Sequence, residues 1–72
     1  MATIEAVVHM GERLRRLREE RALRQEDLAK LAGIGKNTVN RIEKDRTEPH
    51  MTTIRKLAAA LEVDSAELVR RE

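Results

Sequence analysis

The chain has 72 residues, no cysteine and no Phe, Tyr or Trp, so it forms one small domain with an aliphatic core, held by neither disulfides nor a thiolate metal site. The hydrophobic fraction of 40% recurs with helical spacing, which excludes disorder despite a charged fraction of 39%; the formal net charge of +2 is too modest to name a partner by itself. No apolar run reaches the length of a membrane span, residues 1–11 lack a signal-peptide layout, and the missing rings exclude modules that stack unpaired bases.

Residues 1–10 read as an N-terminal extension, with Ile4, Val7, Val8 and Met10 outside the core pattern. Three destinations are open to them: lengthening the first helix, covering the last, or joining Leu68 and Val69 in a dimer patch. The domain proper is expected over 11–70. The first helix is expected from Gly11 to Ala22, with Leu14, Leu17 and Arg18 on one face. Glu12–Arg16 and Arg15–Glu19 are i,i+4 pairs on its outer side. The second helix runs from about Gln25 to Ala32 and buries Leu28, Ala29 and either Leu31 or Ala32, with Gly33 as a left-handed stop.

The third helix, Lys36 to Glu43, splits into two faces. At about 100° per residue, Lys36, Asn37, Asn40, Arg41 and Lys44 fall on one arc, and Thr38, Val39, Ile42 and Glu43 on the other. The first arc carries side chains that match base edges and phosphates: Lys and Arg suit guanine, Asn suits adenine. At about 12 Å, an eight-residue helix is close to the width of the major groove. Residues 36–46 also concentrate four basic side chains, Lys36, Arg41, Lys44 and Arg46, against Glu43 and Asp45. With the second helix and the short break at Gly33-Ile34-Gly35, this is a helix-turn-helix at about 25–43, reading double-stranded DNA. Lys36, Asn37, Asn40 and Arg41 are its base-contacting candidates.

A polar loop, 44–48, ends at Pro49. A fourth helix over about Met51 to Leu61 buries Ile54, Leu57, Ala58 and Leu61, with His50 as an improvised cap. Asp64-Ser65-Ala66-Glu67 has the form of a capping box opening a short fifth helix to about Arg70. The expected fold is all-α, a compact five-helix bundle. Glu43, at the edge of a buried face, needs a cation, and Arg18 and Arg21 of the first helix are both within reach on the wheel.

Gln25-Glu26-Asp27-Leu28-Ala29, Gly33-Ile34, Thr38-Val39 and Ile42-Glu43 resemble the Cro and phage-repressor type of helix-turn-helix, the XRE family of bacterial regulators. The likeness continues through Leu14, Leu17 and Arg18 upstream and Pro49, Ile54, Leu57-Ala58, Leu61-Glu62-Val63 and Leu68 downstream. It implies a lambda-repressor-like domain, an Arg18–Glu43 structural ion pair, and a Gln25 side chain that grips the DNA backbone at the helix start. Two caps depart from its pattern: Arg24 and Gly35 stand where Ser or Thr is usual, which weakens each helix start by up to about 1 kcal/mol. Arg24, Gln25, Lys44 and Arg46 are therefore the phosphate-contacting candidates.

No catalytic residue, metal ligand or cofactor is expected. His9 and His50 stand 41 residues apart without metal-site spacing, and no glycine-rich phosphate loop is present. The reading is a cytoplasmic, non-enzymatic transcriptional regulator from a bacterial nucleoid or a phage, a repressor acting as a homodimer on a near-palindromic operator. No small-molecule ligand is evident. The rival readings are an antitoxin or restriction-modification controller with a toxin or other protein partner, and a pure protein-interaction module.

Overall fold

A computed structural model describes residues 10–69, and among these every regular element is a helix: α1 (Gly11–Glu20), α2 (Gln25–Ala32), α3 (Lys36–Glu43), α4 (Met51–Leu61) and α5 (Ser65–Val69). None is long and apolar enough to cross a membrane. Helix α2 packs on α3 and α4, α4 on α5, and α1 on α3. The core comprises Met10, Leu14, Leu28, Ala29, Ala32, Val39, Ile42, Ile54, Leu57, Ala58, Leu61 and Leu68, with Leu17, Leu23 and Ile34 at its margin.

Two open choices close and one expectation changes. Ala32, not Leu31, fills the core; Leu31 is 61% exposed. The inward stripe of α2 runs through positions 25, 28, 29 and 32, and Leu31 falls off it. Leu68 is buried in its own domain and so cannot supply a dimer patch; Met10, assigned to the extension, is core as well. The other expectations for the ends, on Ile4, Val7, Val8, His9 and Arg70, lie outside the described residues.

The first helix also ends two residues early. Ala22 adopts φ 56°, its N–H donates to Glu19 O at 2.9 Å, and the Leu23 N–H donates to Arg18 O at 3.1 Å. This is a Schellman turn, which glycine usually closes. The same turn ends α2 at Gly33 (φ 72°), α3 at Asp45 (φ 55°) and α4 at Glu62 (φ 61°). Only the glycine announced itself in sequence.

At the helix starts, Arg24 and Gly35 are extended and offer no side-chain cap, as expected. Helix α2 is compensated from inside: the Asp27 carboxylate accepts the Arg24 N–H at 2.9 Å, the return half of a capping box. That bond holds the Asp27 carboxyl below the usual carboxylate range. His50 precedes α4 in extended conformation, but its side chain makes no cap hydrogen bond. Of the two outer pairs on α1, Glu12–Arg16 forms loosely at 4.0 Å, whereas Glu19 lies 3.9 Å from Arg18 rather than beside Arg15.

Candidate nucleic-acid interface

Helix α3 docks through Val39 and Ile42, which are 0% and 1% exposed. That leaves Lys36, Asn37 and Arg41 exposed on its far side, while Asn40 is half-buried. Lys44 and Arg46 flank Asp45 in the turn that closes the helix, and both are exposed. The turn is wound back on α3 by Lys44 N–H to Asn40 O (3.1 Å) and Arg46 N–H to Arg41 O (2.9 Å). Its two cations therefore stand at a fixed place beside the helix end. Arg24 is exposed at the start of α2, its Nε 3.4 Å from Asp27 Oδ2.

Arg18 meets Glu43 as the resemblance implied. Arg18 Nε donates to Glu43 Oε2 at 2.6 Å and Nη2 to Oε1 at 3.1 Å, a two-pronged contact with side chains only 11% and 3% exposed. Arg18 Nη1 also donates to Leu23 O at 2.8 Å, so one guanidinium ties α1, the turn after it and α3. Bonding to Glu43, against the opposing effect of burial, raises the Arg18 pKa above the ordinary arginine value. Arg21, the other cation on that wheel, goes elsewhere: its Nε donates to Leu61 O at 2.7 Å at the end of α4.

The pair does not stop at Glu43. Gln25 Nε2 donates to Glu43 Oε1 at 3.0 Å, and Asn40 Nδ2 donates to Gln25 Oε1 at 3.2 Å. Gln25 lies on the inward stripe of α2, so its side chain turns toward α3 instead of standing free at the helix start. The structure thus brings together Arg18, Glu43, Gln25 and Asn40 in one chain of hydrogen bonds. Lys36, Asn37 and Arg41 line the open arc beside it.

One contact behind this face was missed in sequence. Asp45 Oδ1 accepts the Gly11 N–H at 3.1 Å, capping α1 from 34 residues away. Gly11 fits there because it has no side chain: a Cβ would lie 2.5 Å from Ile42 O and Glu43 O. A contact between distant residues has no local sequence signal; the Asp27 return bond did have one, an acid three residues after the cap. Among the described residues no group of His, Cys, Asp or Glu is placed to hold a metal ion.

Comparison with known proteins places this geometry. The chain is 46% identical over 57 residues to the cryptic phage CTXphi transcriptional repressor RstR of Vibrio cholerae, covering 79% of this chain and 51% of that one. It spans about half the length of the curated relatives it matches. Among solved structures it superposes on the restriction-modification controller protein C.AhdI from Aeromonas hydrophila with TM-score 0.82 and 38% identity, covering 89% of this chain and 96% of that one. The P22 c2 repressor protein, in complex with a synthetic operator, gives TM-score 0.81 and 30% identity over 88% of this chain and 96% of that one. Residues 14–68 match the helix-turn-helix family HTH_3, and the chain, whose described residues form five helices, belongs to that family, of XRE type.

Proposed function

We propose that this protein binds double-stranded DNA sequence-specifically and regulates transcription, as a repressor on a near-palindromic operator, in the cytoplasm. The carrying observation is the division of α3: Val39 and Ile42 are sealed in the core while Lys36, Asn37 and Arg41 are presented together on its open face. In this motif such a helix lies in the major groove, and side chains near its N-terminus reach base edges. Asn40 joins them from the half-buried edge. Arg24 and Gln25 on one side, with Lys44 and Arg46 on the other, hold phosphates and set the register. RstR and the P22 c2 protein are repressors by name, and the latter is bound to an operator.

A helix of this length spans few base pairs, so a homodimer with two such helices about 34 Å apart gives the reading its specificity. A second reading is a restriction-modification controller, the class that C.AhdI belongs to by name, on which the chain superposes with TM-score 0.82 and 38% identity. Both readings share the same DNA chemistry. Selection of bound sequences from a random duplex pool tests it, with sedimentation to give the oligomer. A recovered palindromic consensus supports the reading; recovery of no consensus, with equal binding to every duplex, overturns it.

A further inference from the structure

The hydrogen-bond chain at the face of α3 has a direction. Glu43, as the carboxylate partner of Arg18, can only accept hydrogen bonds. Gln25 must therefore turn its NH₂ end toward Glu43, which it does at 3.0 Å, leaving its carbonyl oxygen toward α3. Against that oxygen Asn40 must turn its own NH₂ end, at 3.2 Å. The orientation of two amides, each free to flip in isolation, is dictated by one acid that is 3% exposed. What remains uncommitted among the described residues is the Asn40 carbonyl oxygen with its second N–H, and the second N–H of Gln25.

We propose that the Arg18–Glu43 pair, acting through Gln25, is a specificity determinant: it fixes the Asn40 amide so that this residue selects adenine. Adenine alone places a donor, N6–H, beside an acceptor, N7, in the major groove; guanine offers two acceptors there and cytosine a donor only. A carbonyl held outward next to one N–H complements the adenine edge, and holding it before binding removes the ordering cost of choosing a rotamer. Gln25, Glu43 and Arg18 are positioning residues in this scheme, whether or not Gln25 also donates to a phosphate. The proposal rests on α3 being the helix that enters the groove.

The test measures binding of the full chain to a selected duplex and to its single-base variants. Asn40→Ala should relax an adenine preference at one position of the half-site by roughly tenfold and leave the other positions alone. Gln25→Ala should relax that same position, beyond any uniform weakening from a lost phosphate contact. The paired variant Arg18→Met with Glu43→Leu exchanges the ion pair for apolar side chains, a replacement often neutral or stabilising at buried pairs, and a thermal melt checks that it folds. This variant should relax the same position again. If Gln25→Ala and the paired variant keep the adenine preference, or the position read by Asn40 prefers another base, the proposal is overturned. The same holds if Asn40→Ala changes no preference while Lys36→Ala, Asn37→Ala or Arg41→Ala does, and in that case DNA reading by α3 survives. Failure of the unaltered chain to prefer any duplex overturns both.

Discussion

Gly11 and Asp45 are locked end to end: the Gly11 N–H donates to the Asp45 carboxylate at 3.1 Å, and the first turn of α1 sits directly on the last carbonyls of α3. The positive end of one helix thus meets the negative end of the other, with an acid as the cap. The contact seats the proposed recognition helix and the Lys44–Arg46 turn against α1.

Gly11→Ala should destabilise the domain by about 1–3 kcal/mol, because its methyl group would press on two backbone carbonyls that cannot rotate away. Asp45→Ala should lose about 1 kcal/mol as a missing cap, and Asp45→Asn less, since the amide oxygen still accepts. Chemical denaturation ranks the three. An unchanged midpoint for Gly11→Ala would contradict the close approach.

Removing Arg18 leaves Glu43 buried without its cation. Arg18→Ala should cost about 3–5 kcal/mol, whereas Arg15→Ala and Arg16→Ala, on the exposed side of α1, should shift stability by about 0.5 kcal/mol or less. Thermal melts of the three variants decide it; equal, small shifts would remove the pair from the scaffold.

Two helix ends carry avoidable strain. A non-glycine residue in left-handed conformation costs about 1–2 kcal/mol, partly offset in a glycine variant by its looser unfolded chain. Ala22→Gly and Glu62→Gly should each raise stability by about 0.5–1 kcal/mol, or several degrees in Tm. Asp45→Gly gains the same relief but loses the Gly11 bond, so its melting point should barely move.

Asp27 links stability to pH. Its folded carboxyl holds protons less tightly than in the unfolded chain, chiefly because it accepts the Arg24 N–H. Its stabilisation is therefore complete above the unfolded pKa of about 3.9 and fades as pH falls through the lower folded value. Asp27→Ala should be less stable than the parent at pH 6, and the gap should narrow as pH drops below about 4. A gap constant from pH 6 to pH 2 would refute this.

Phosphate contacts leave a signature in salt. Lys44→Ala and Arg46→Ala should each make the log-log dependence of affinity on salt shallower by about one unit. Gln25→Ala should leave that slope unchanged, since Gln25 carries no charge. Titrations at several salt concentrations measure both, and unchanged slopes for Lys44→Ala and Arg46→Ala would take those residues off the backbone.

Periodicity was enough to locate α1 to α4, because the apolar stripe of each is a property of consecutive residues: Leu14 and Leu17, Leu28 and Ala29, Val39 and Ile42, Ile54 with Leu57 and Leu61. Helix α5 was marked instead by the Asp64-Ser65-Ala66-Glu67 capping pattern. Gly33 marked its own turn, since glycine enters the left-handed region without strain. Glu43 declared its need for a cation by lying on the buried arc, but the wheel left Arg18 and Arg21 equal, and only the family likeness favoured Arg18. Packing decided what lies between the helices. Arg21 was taken by the Leu61 carbonyl, Ala22, Asp45 and Glu62 were driven into left-handed turns without glycine, and Leu68 was buried in its own domain. The same holds for the candidate site: its outward residues were visible on a wheel, but the turning of Gln25 away from solvent toward Glu43 and Asn40 was not. A helical wheel records direction around one axis. Which side chains meet depends on how far apart, and at what angle, the axes of α1, α2 and α3 come to rest, and tertiary packing alone sets that.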